Sequence, residues 1–301
     1  MRRAAQSATL GGRMRLRILH ASAPQWSAAA GHLDELIAGP GFQTVKRTAR
    51  TVAGFIEVGG ARAFVKRVAE DSWIKGWMIN FAGARARRVL RGAAMLEAGG
   101  FAHPRPLVAV EFMRLGAVRA SAVISEDLAG AEILSKVAFA GGRVRFRHRV
   151  AVSSAVADAV RRLHDAGIYT RDLQETNLLL ARSAGAEPRS GAAQSASDAA
   201  ARWTINFVDL EDFRRVRTVS DRRRMLNLVH LDRSIGRFVS RSQRLRFFYF
   251  YLGGRPPRAE ARRRVHRFMA LREHVDDRAR RNHRPVGAAA LAPATPHSRA
   301  G

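Results

Sequence analysis

Residues Leu163 to Leu180 read LHDAGIYTRDLQETNLLL, and Ile205 to Asp212 read INFVDLED. Together these stretches decide the fold. In the first, a helical run of small and apolar residues stops at Ala166-Gly167. A short strand follows, then a polar turn and the apolar run Leu178-Leu179-Leu180. The turn carries Asp172 and, five residues on, Asn177, while the second stretch is an apolar strand that delivers Asp209. Asp and Asn are also ordinary turn formers, through local side-chain hydrogen bonds to the backbone. An isolated D-x-x-x-x-N therefore says little. The helix end before it and the strand-borne Asp after it give the pattern its weight.

Phosphoryl transfer from ATP needs a carboxylate to orient and deprotonate the acceptor hydroxyl, and oxygen ligands to hold Mg²⁺ on the phosphates. Asp172, Asn177 and Asp209 are of the right types. Their arrangement between short strands matches the catalytic loop and metal loop of kinases.

Working towards the N-terminus, Gln43 to Arg50 and Thr51 to Val58 alternate apolar and polar residues, Gly59-Gly60 supplies a hairpin turn, and Ala61 to Val68 answers as a third strand. Lys66 lies on that strand in a chain whose only other lysines are Lys46, Lys75 and Lys136. A strand lysine at this place can pair with the α and β phosphates of ATP, or can simply be solvated. Ala82 to Ala98 is helical, with Val89, Ala93 and Leu96 on an apolar stripe and Gly99-Gly100 as its cap. Phe101 to Val110 returns into a strand. Val118 to Leu128 is a further strand ending in a linker, Glu126 to Ala131, and the backbone of Ser125, Glu126, Asp127 and Leu128 would line an adenine pocket.

Arg147 to Ala166 reads as the long helix feeding the catalytic turn, with Val150, Val152, Val156, Val160 and Leu163 compatible with one buried face. Residues 182 to 202 are small and polar and read as a flexible insertion that loops outwards. Asp221 to Tyr251 is helical, its aromatic run LRFFYFYL at Leu245 to Leu252 being a buried helix rather than a membrane contact. Residues 1 to 40 read as a basic lead-in, disordered at first, with Met14 as an alternative start. Residues 285 to 301 read as a disordered tail.

Composition sets outer bounds. With 301 residues the chain can hold one large domain or two intimate lobes. No stretch approaches the roughly 20 apolar residues of a membrane span, and the N-terminus has no secretory pattern. There is no cysteine, which excludes disulfides and thiolate metal sites and fits a cytoplasmic protein. The net charge is +28 and the sequence pI about 11.8. Such charge favours anionic partners without choosing among nucleic acid, phospholipid head groups and phosphorylated glycolipid. The bias towards Arg and Ala also fits a GC-rich genome, which weakens any argument from a single arginine.

The ordered blocks F-V-K-R at Phe64 to Arg67, A-R-R at Ala86 to Arg88, P-R-P-L at Pro104 to Leu107, S-E-D-L-A-G-A at Ser125 to Ala131, L-H-D-A-G-I-Y-T-R-D-L at Leu163 to Leu173 and V-D-L-E-D at Val208 to Asp212 resemble the lipopolysaccharide core kinases, the Kdo and heptose kinase family. Arg222 to Ile235 and Arg244 to Leu252 resemble that family's C-terminal signature, so the likeness runs from about Thr44 to Gly253. It implies an α+β, bilobal protein-kinase-like fold. A small antiparallel-sheet N-lobe would span 41 to 125 and a mainly helical C-lobe 126 to 284. It further implies an ATP- and Mg²⁺-dependent phosphotransferase with Lys66 on the phosphates, Asp172 as catalytic base, and Asn177 and Asp209 as Mg²⁺ ligands. The acceptor would be a sugar hydroxyl of lipid-linked core oligosaccharide. That acceptor is an anionic glycolipid met at the inner face of the inner membrane, with peripheral contact to the anionic surface.

Three positions depart from the family pattern. The helix site expected to carry a Glu for the strand lysine falls near Val89, with Glu97 two turns on. Thr170 stands where a His precedes Arg-Asp, and no glycine-rich phosphate loop lies between Thr44 and Gly54. Val89 and Thr170 motivate the alternative of a non-catalytic pseudokinase that binds nucleotide or a partner. A kinase of the same fold with a protein or small-molecule acceptor is a further alternative. Nucleic acid is not the expected partner, because arginine is spread through the whole chain with no recognised binding motif.

Overall fold

The structure is a computed structural model that describes residues 7–10, 14–70, 84–139, 146–182 and 203–282. Its largest element is a seven-stranded antiparallel sheet of β1 (Ser7–Leu10), β2 (Met14–Ala21), β3 (Gln43–Arg47), β4 (Thr51–Val58), β5 (Ala61–Ala69), β6 (Pro106–Arg114) and β7 (Ala117–Glu126). The strands lie in the order β1-β2-β6-β7-β5-β4-β3. Alternation gives the sheet two faces. On one, Ala63, Val65, Val108, Val110 and Ile124 pack with Trp26, Ala30, Leu33 and Ile37 of α1 (Pro24–Gly31) and α2 (Leu33–Ala38). The other bears the cross-strand row Ala53, Lys66, Val123 and Ala109. There α3 (Arg85–Ala98) lays Ala86, Val89 and Leu90 against Ala109 and Val123.

Within the lead-in expected over residues 1 to 40, residues 14 to 38 form β2, α1 and α2 and are part of the fold. Leu16 joins the sheet core, and Trp26, Leu33 and Ile37 are buried side chains that roof one of its faces. The helices are hard to read from sequence because they are only six to eight residues long, too short for the helical period to repeat, and their small Ala residues give little contrast between faces.

The chain leaves the sheet through residues 127 to 131 and enters a helix-rich half. This comprises β8 (Glu132–Ile133), α4 (Leu134–Phe139), α5 (Phe146–Asp165), β9 (Ile168–Thr170), β10 (Leu178–Arg182), β11 (Trp203–Phe207), β12 (Phe213–Arg215), α6 (Asp221–Ile235) and α7 (Arg241–Tyr251). The expected helix at 147 to 166 is α5, whose Val152, Val156, Val160 and Leu163 are buried. Of the aromatic run, Phe248 and Tyr251 are buried while Leu245 is exposed. Two small sheets, β11-β10-β8 and β12-β9, bring the Leu163–Leu180 and Ile205–Asp212 stretches together. The insertion expected at 182 to 202, save Arg182, and the tail at 285 to 301 lie outside the described residues. From Pro257 onwards the chain belongs to a second compact unit, of which α8 (Arg258–Asn282) is described. Among the described residues no helix is long and apolar enough to cross a membrane.

Candidate active site

Lys66 sits mid-strand in β5, opposite Ala53 on one side and Val123 on the other. These small neighbours leave its side chain free to extend from the α3-covered face. Its Nζ donates to Asp209 Oδ1 at 2.6 Å and lies 3.6 Å from Glu211 Oε1. The sequence-predicted lysine and metal-loop aspartate, 143 residues apart, are thus in direct contact.

The turn that carries Asp172 is held from below. Gly167 has φ of 76° and a Cβ there would meet Val216 O at 2.3 Å, so the helix-to-strand turn before β9 requires glycine. β9 then pairs with β12, Thr170 opposite Phe213, and Arg171 N donates to Asp212 O at 3.3 Å. Thr170, in the place of the expected His, is buried. Its Oγ1 accepts from Asp172 N at 3.2 Å and its carbonyl accepts from Asn227 Nδ2 at 2.6 Å. With its amide donating there, Asn227 presents Oδ1 to His164 Nε2 at 2.9 Å. His164 is therefore protonated on Nε2, and its bare Nδ1 accepts from the Tyr251 hydroxyl at 2.9 Å. Burial pushes the fully enclosed His164 down to about 4 and pushes the Tyr251 phenol up, so both are neutral. A neutral chain from α7 through α5 and α6 thus ends on the backbone two residues before Asp172.

Within the turn, Gln174 Nε2 donates to Asp172 Oδ1, and Asn177 Nδ2 donates to the Asp172 carbonyl at 2.9 Å. The second bond commits the Asn177 amide nitrogen and leaves its Oδ1 as an acceptor. Val208 N donates to the Asn177 carbonyl at 3.0 Å, and Leu178 pairs with Phe207, which brings Asn177 beside the approach to Asp209. Asp209 itself is left-handed at φ 58°, a conformation Asp tolerates better than most residues. The kink ends β11 and turns the chain into the 3₁₀ turn Leu210–Asp212. An amide oxygen and a carboxylate are hard oxygen donors, and Mg²⁺ usually takes only one or two protein ligands besides phosphates and water. The pair fits that ion. Among the described residues there is no cluster of three or more His, Cys, Asp and Glu side chains that would suit a protein-caged metal.

The four residues expected at the adenine pocket lie where the chain leaves the large sheet. Ser125 and Glu126 end β7 and pair with Phe64 and Ala63. Asp127 accepts from Arg62 at 2.6 Å, Glu126 accepts from Arg105 at 2.6 Å, and the Leu128 carbonyl accepts from Ala131 N at 3.0 Å. At the phosphate-loop position, the turn between β3 and β4 is Thr48-Ala49-Arg50, closed by Thr51 N on Thr48 Oγ1 at 3.0 Å and without a glycine.

The family model for lipopolysaccharide kinases (Kdo/WaaP) matches residues 43–251. The chain belongs to this family. A solved structure of WaaP in complex with acyl carrier protein is similar to it, with a TM-score of 0.58 and 21% identity over 87% of this chain and 98% of that one. At that identity the likeness shows the fold, a mixed α and β architecture with an antiparallel sheet. No curated protein matches the chain. As a lipopolysaccharide kinase family member, a phosphotransferase, it departs from expectation at the partner of Lys66. Val89 packs on apolar residues and Glu97 is exposed, so neither serves. The nearby carboxylate is Glu211, which also accepts from Arg85 Nη1 at 2.8 Å and Arg88 Nη2 at 3.1 Å of α3. Sequence reasoning passed over Glu211, Arg85, Arg88 and Asn227. The signal was present in V-D-L-E-D beside an acid-free R-A-R-R helix start.

Proposed function

We propose that this lipopolysaccharide kinase family member is an ATP- and Mg²⁺-dependent kinase with a bilobal protein-kinase-like fold, phosphorylating a sugar hydroxyl of lipopolysaccharide core or a related glycolipid. The observation that carries the reading is the meeting of Lys66 with Asp209 beside the Asp172–Asn177 turn. Nucleotide would lie between the sheet and the helix-rich half, its adenine on the Ser125–Leu128 backbone and its phosphates on Lys66. Asn177 Oδ1 and Asp209 would hold Mg²⁺, which when bound supplies neutralising charge to the phosphate oxygens.

Asp172 acts on the acceptor. Gln174 engages Oδ1 and leaves Oδ2 to accept the proton of the sugar hydroxyl. As that proton moves to Asp172, the hydroxyl oxygen bonds to the γ-phosphorus, the bond to the β,γ-bridging oxygen breaks, and ADP leaves. Rate enhancement comes chiefly from alignment and fixed charge, which a hydrogen-bonded turn supplies. Only residues 213 to 220 separate the Asp212 turn from α6, which leaves little chain for a peptide-binding activation segment and favours a glycolipid over a protein acceptor. Such a substrate is anionic and membrane-borne, and the +28 chain would meet it peripherally on the cytoplasmic side. Asp172→Ala is expected to abolish phosphoryl transfer while nucleotide binding persists, and Asp209→Ala to lose Mg²⁺-dependent nucleotide binding. Turnover like wild type in either folded variant would remove these roles.

A further inference from the structure

Lys66 contacts two carboxylates that are not equivalent. Asp209 is the residue assigned to Mg²⁺, and a carboxylate that turns to a metal cannot also be the lysine's constant partner. Glu211 belongs to the next turn of chain and is committed elsewhere. It is buried, and each of its oxygens is fixed by an arginine of α3, Oε1 by Arg85 and Oε2 by Arg88. The same helix face bears Gly92, where a Cβ would lie 2.1 Å from the Leu210 carbonyl oxygen, so helix and turn touch backbone to backbone. Glu211 is thereby clamped between the helix and the strand lysine, with Oε1 3.6 Å from Lys66 Nζ.

We infer that Glu211 is the positioning residue for Lys66, taking the part for which kinases ordinarily use a helix glutamate. The helix supplies the arginines and the metal-loop turn supplies the acid. The inference rests on the kinase reading above and deepens it. Glu211 does not touch the phosphates. It fixes where the Lys66 ammonium points once Asp209 is engaged by metal.

The test is a double-mutant cycle in affinity for Mg²⁺ with a non-hydrolysable ATP analogue, measured by titration calorimetry on the full chain, with folding of each variant checked by thermal unfolding. Wild type must bind the analogue, and failure there overturns the kinase reading itself. Given binding, Lys66→Met and Glu211→Gln are each expected to weaken it about tenfold, and the double variant no more than Lys66→Met alone, because Glu211 acts through the lysine. Losses that multiply in the double variant, or a Glu211→Gln that binds like wild type, would overturn the positioning role. Because removing a buried charge among arginines can unfold the protein, Glu211→Asp serves as the second variant. It keeps the charge yet withdraws it by one methylene, so binding should weaken severalfold with Lys66 present and not at all in the Lys66→Met background. Equal weakening in both backgrounds would count against the proposal.

Discussion

His164 shows how a residue remote from Asp172 holds the turn that carries it. Its two ring nitrogens are spoken for by Asn227 and Tyr251, and only the neutral tautomer satisfies both. Its ordinary value of 6.5 is lowered to about 4 by burial. Below pH 6.5 the unfolded chain takes up a proton that the folded chain refuses until about pH 4. The contribution is therefore complete above pH 6.5 and lost as pH falls towards 4, at most about 3 kcal/mol. Denaturant unfolding of wild type and His164→Gln should show a stability difference that narrows as the pH is lowered across this window. A difference constant with pH would mean His164 is not held neutral. Asn227→Ala, which strips both His164 and the Thr170 carbonyl of a buried partner, should cost about 2 kcal/mol and lower turnover. Loss of stability with unchanged turnover would mean that the chain does not position the catalytic turn.

At the scale of elements, the contact between α3 and the 210–212 turn depends on one missing side chain. Gly92→Ala raises helix propensity by about 1 kcal/mol, yet its methyl would collide with backbone at Leu210, which cannot rotate away. The clash wins. The variant should be less stable by about 2 kcal/mol in denaturant unfolding and should bind nucleotide more weakly, because the Arg85 and Arg88 clamp shifts with the helix. A more stable Gly92→Ala would contradict the close approach. The β3–β4–β5 hairpins, the capped helix, the long helix into the catalytic turn and the strand carrying Asp209 were all legible, because each has a clear period and a turn residue at its end. The α1–α2 roof was not, since six-to-eight-residue helices in an Ala-rich segment offer little pattern. Glu211 was hidden for another reason. The acid of V-D-L-E-D and the acid-free R-A-R-R helix start are both visible in the sequence, but nothing local pairs a helix with a turn over 120 residues away.

On the scale of the whole molecule, a family fold carries an unusual charge. α8 alone has nine arginines against four carboxylates, and several of these carboxylates pair within the helix, as in Arg264 with Glu260 and Arg280 with Asp277. Sedimentation with phosphatidylglycerol vesicles should show binding that weakens steeply as salt is raised, whereas vesicles of neutral lipid should show little. Salt-independent binding would point to apolar insertion instead. The most direct test of the central claim is transfer of labelled γ-phosphate from ATP, with Mg²⁺, by wild type and Asp172→Ala to a lipid-linked oligosaccharide extract. Label in a glycolipid with wild type alone is the expected result. Label appearing equally with Asp172→Ala, or none with a folded, nucleotide-binding wild type, would contradict it.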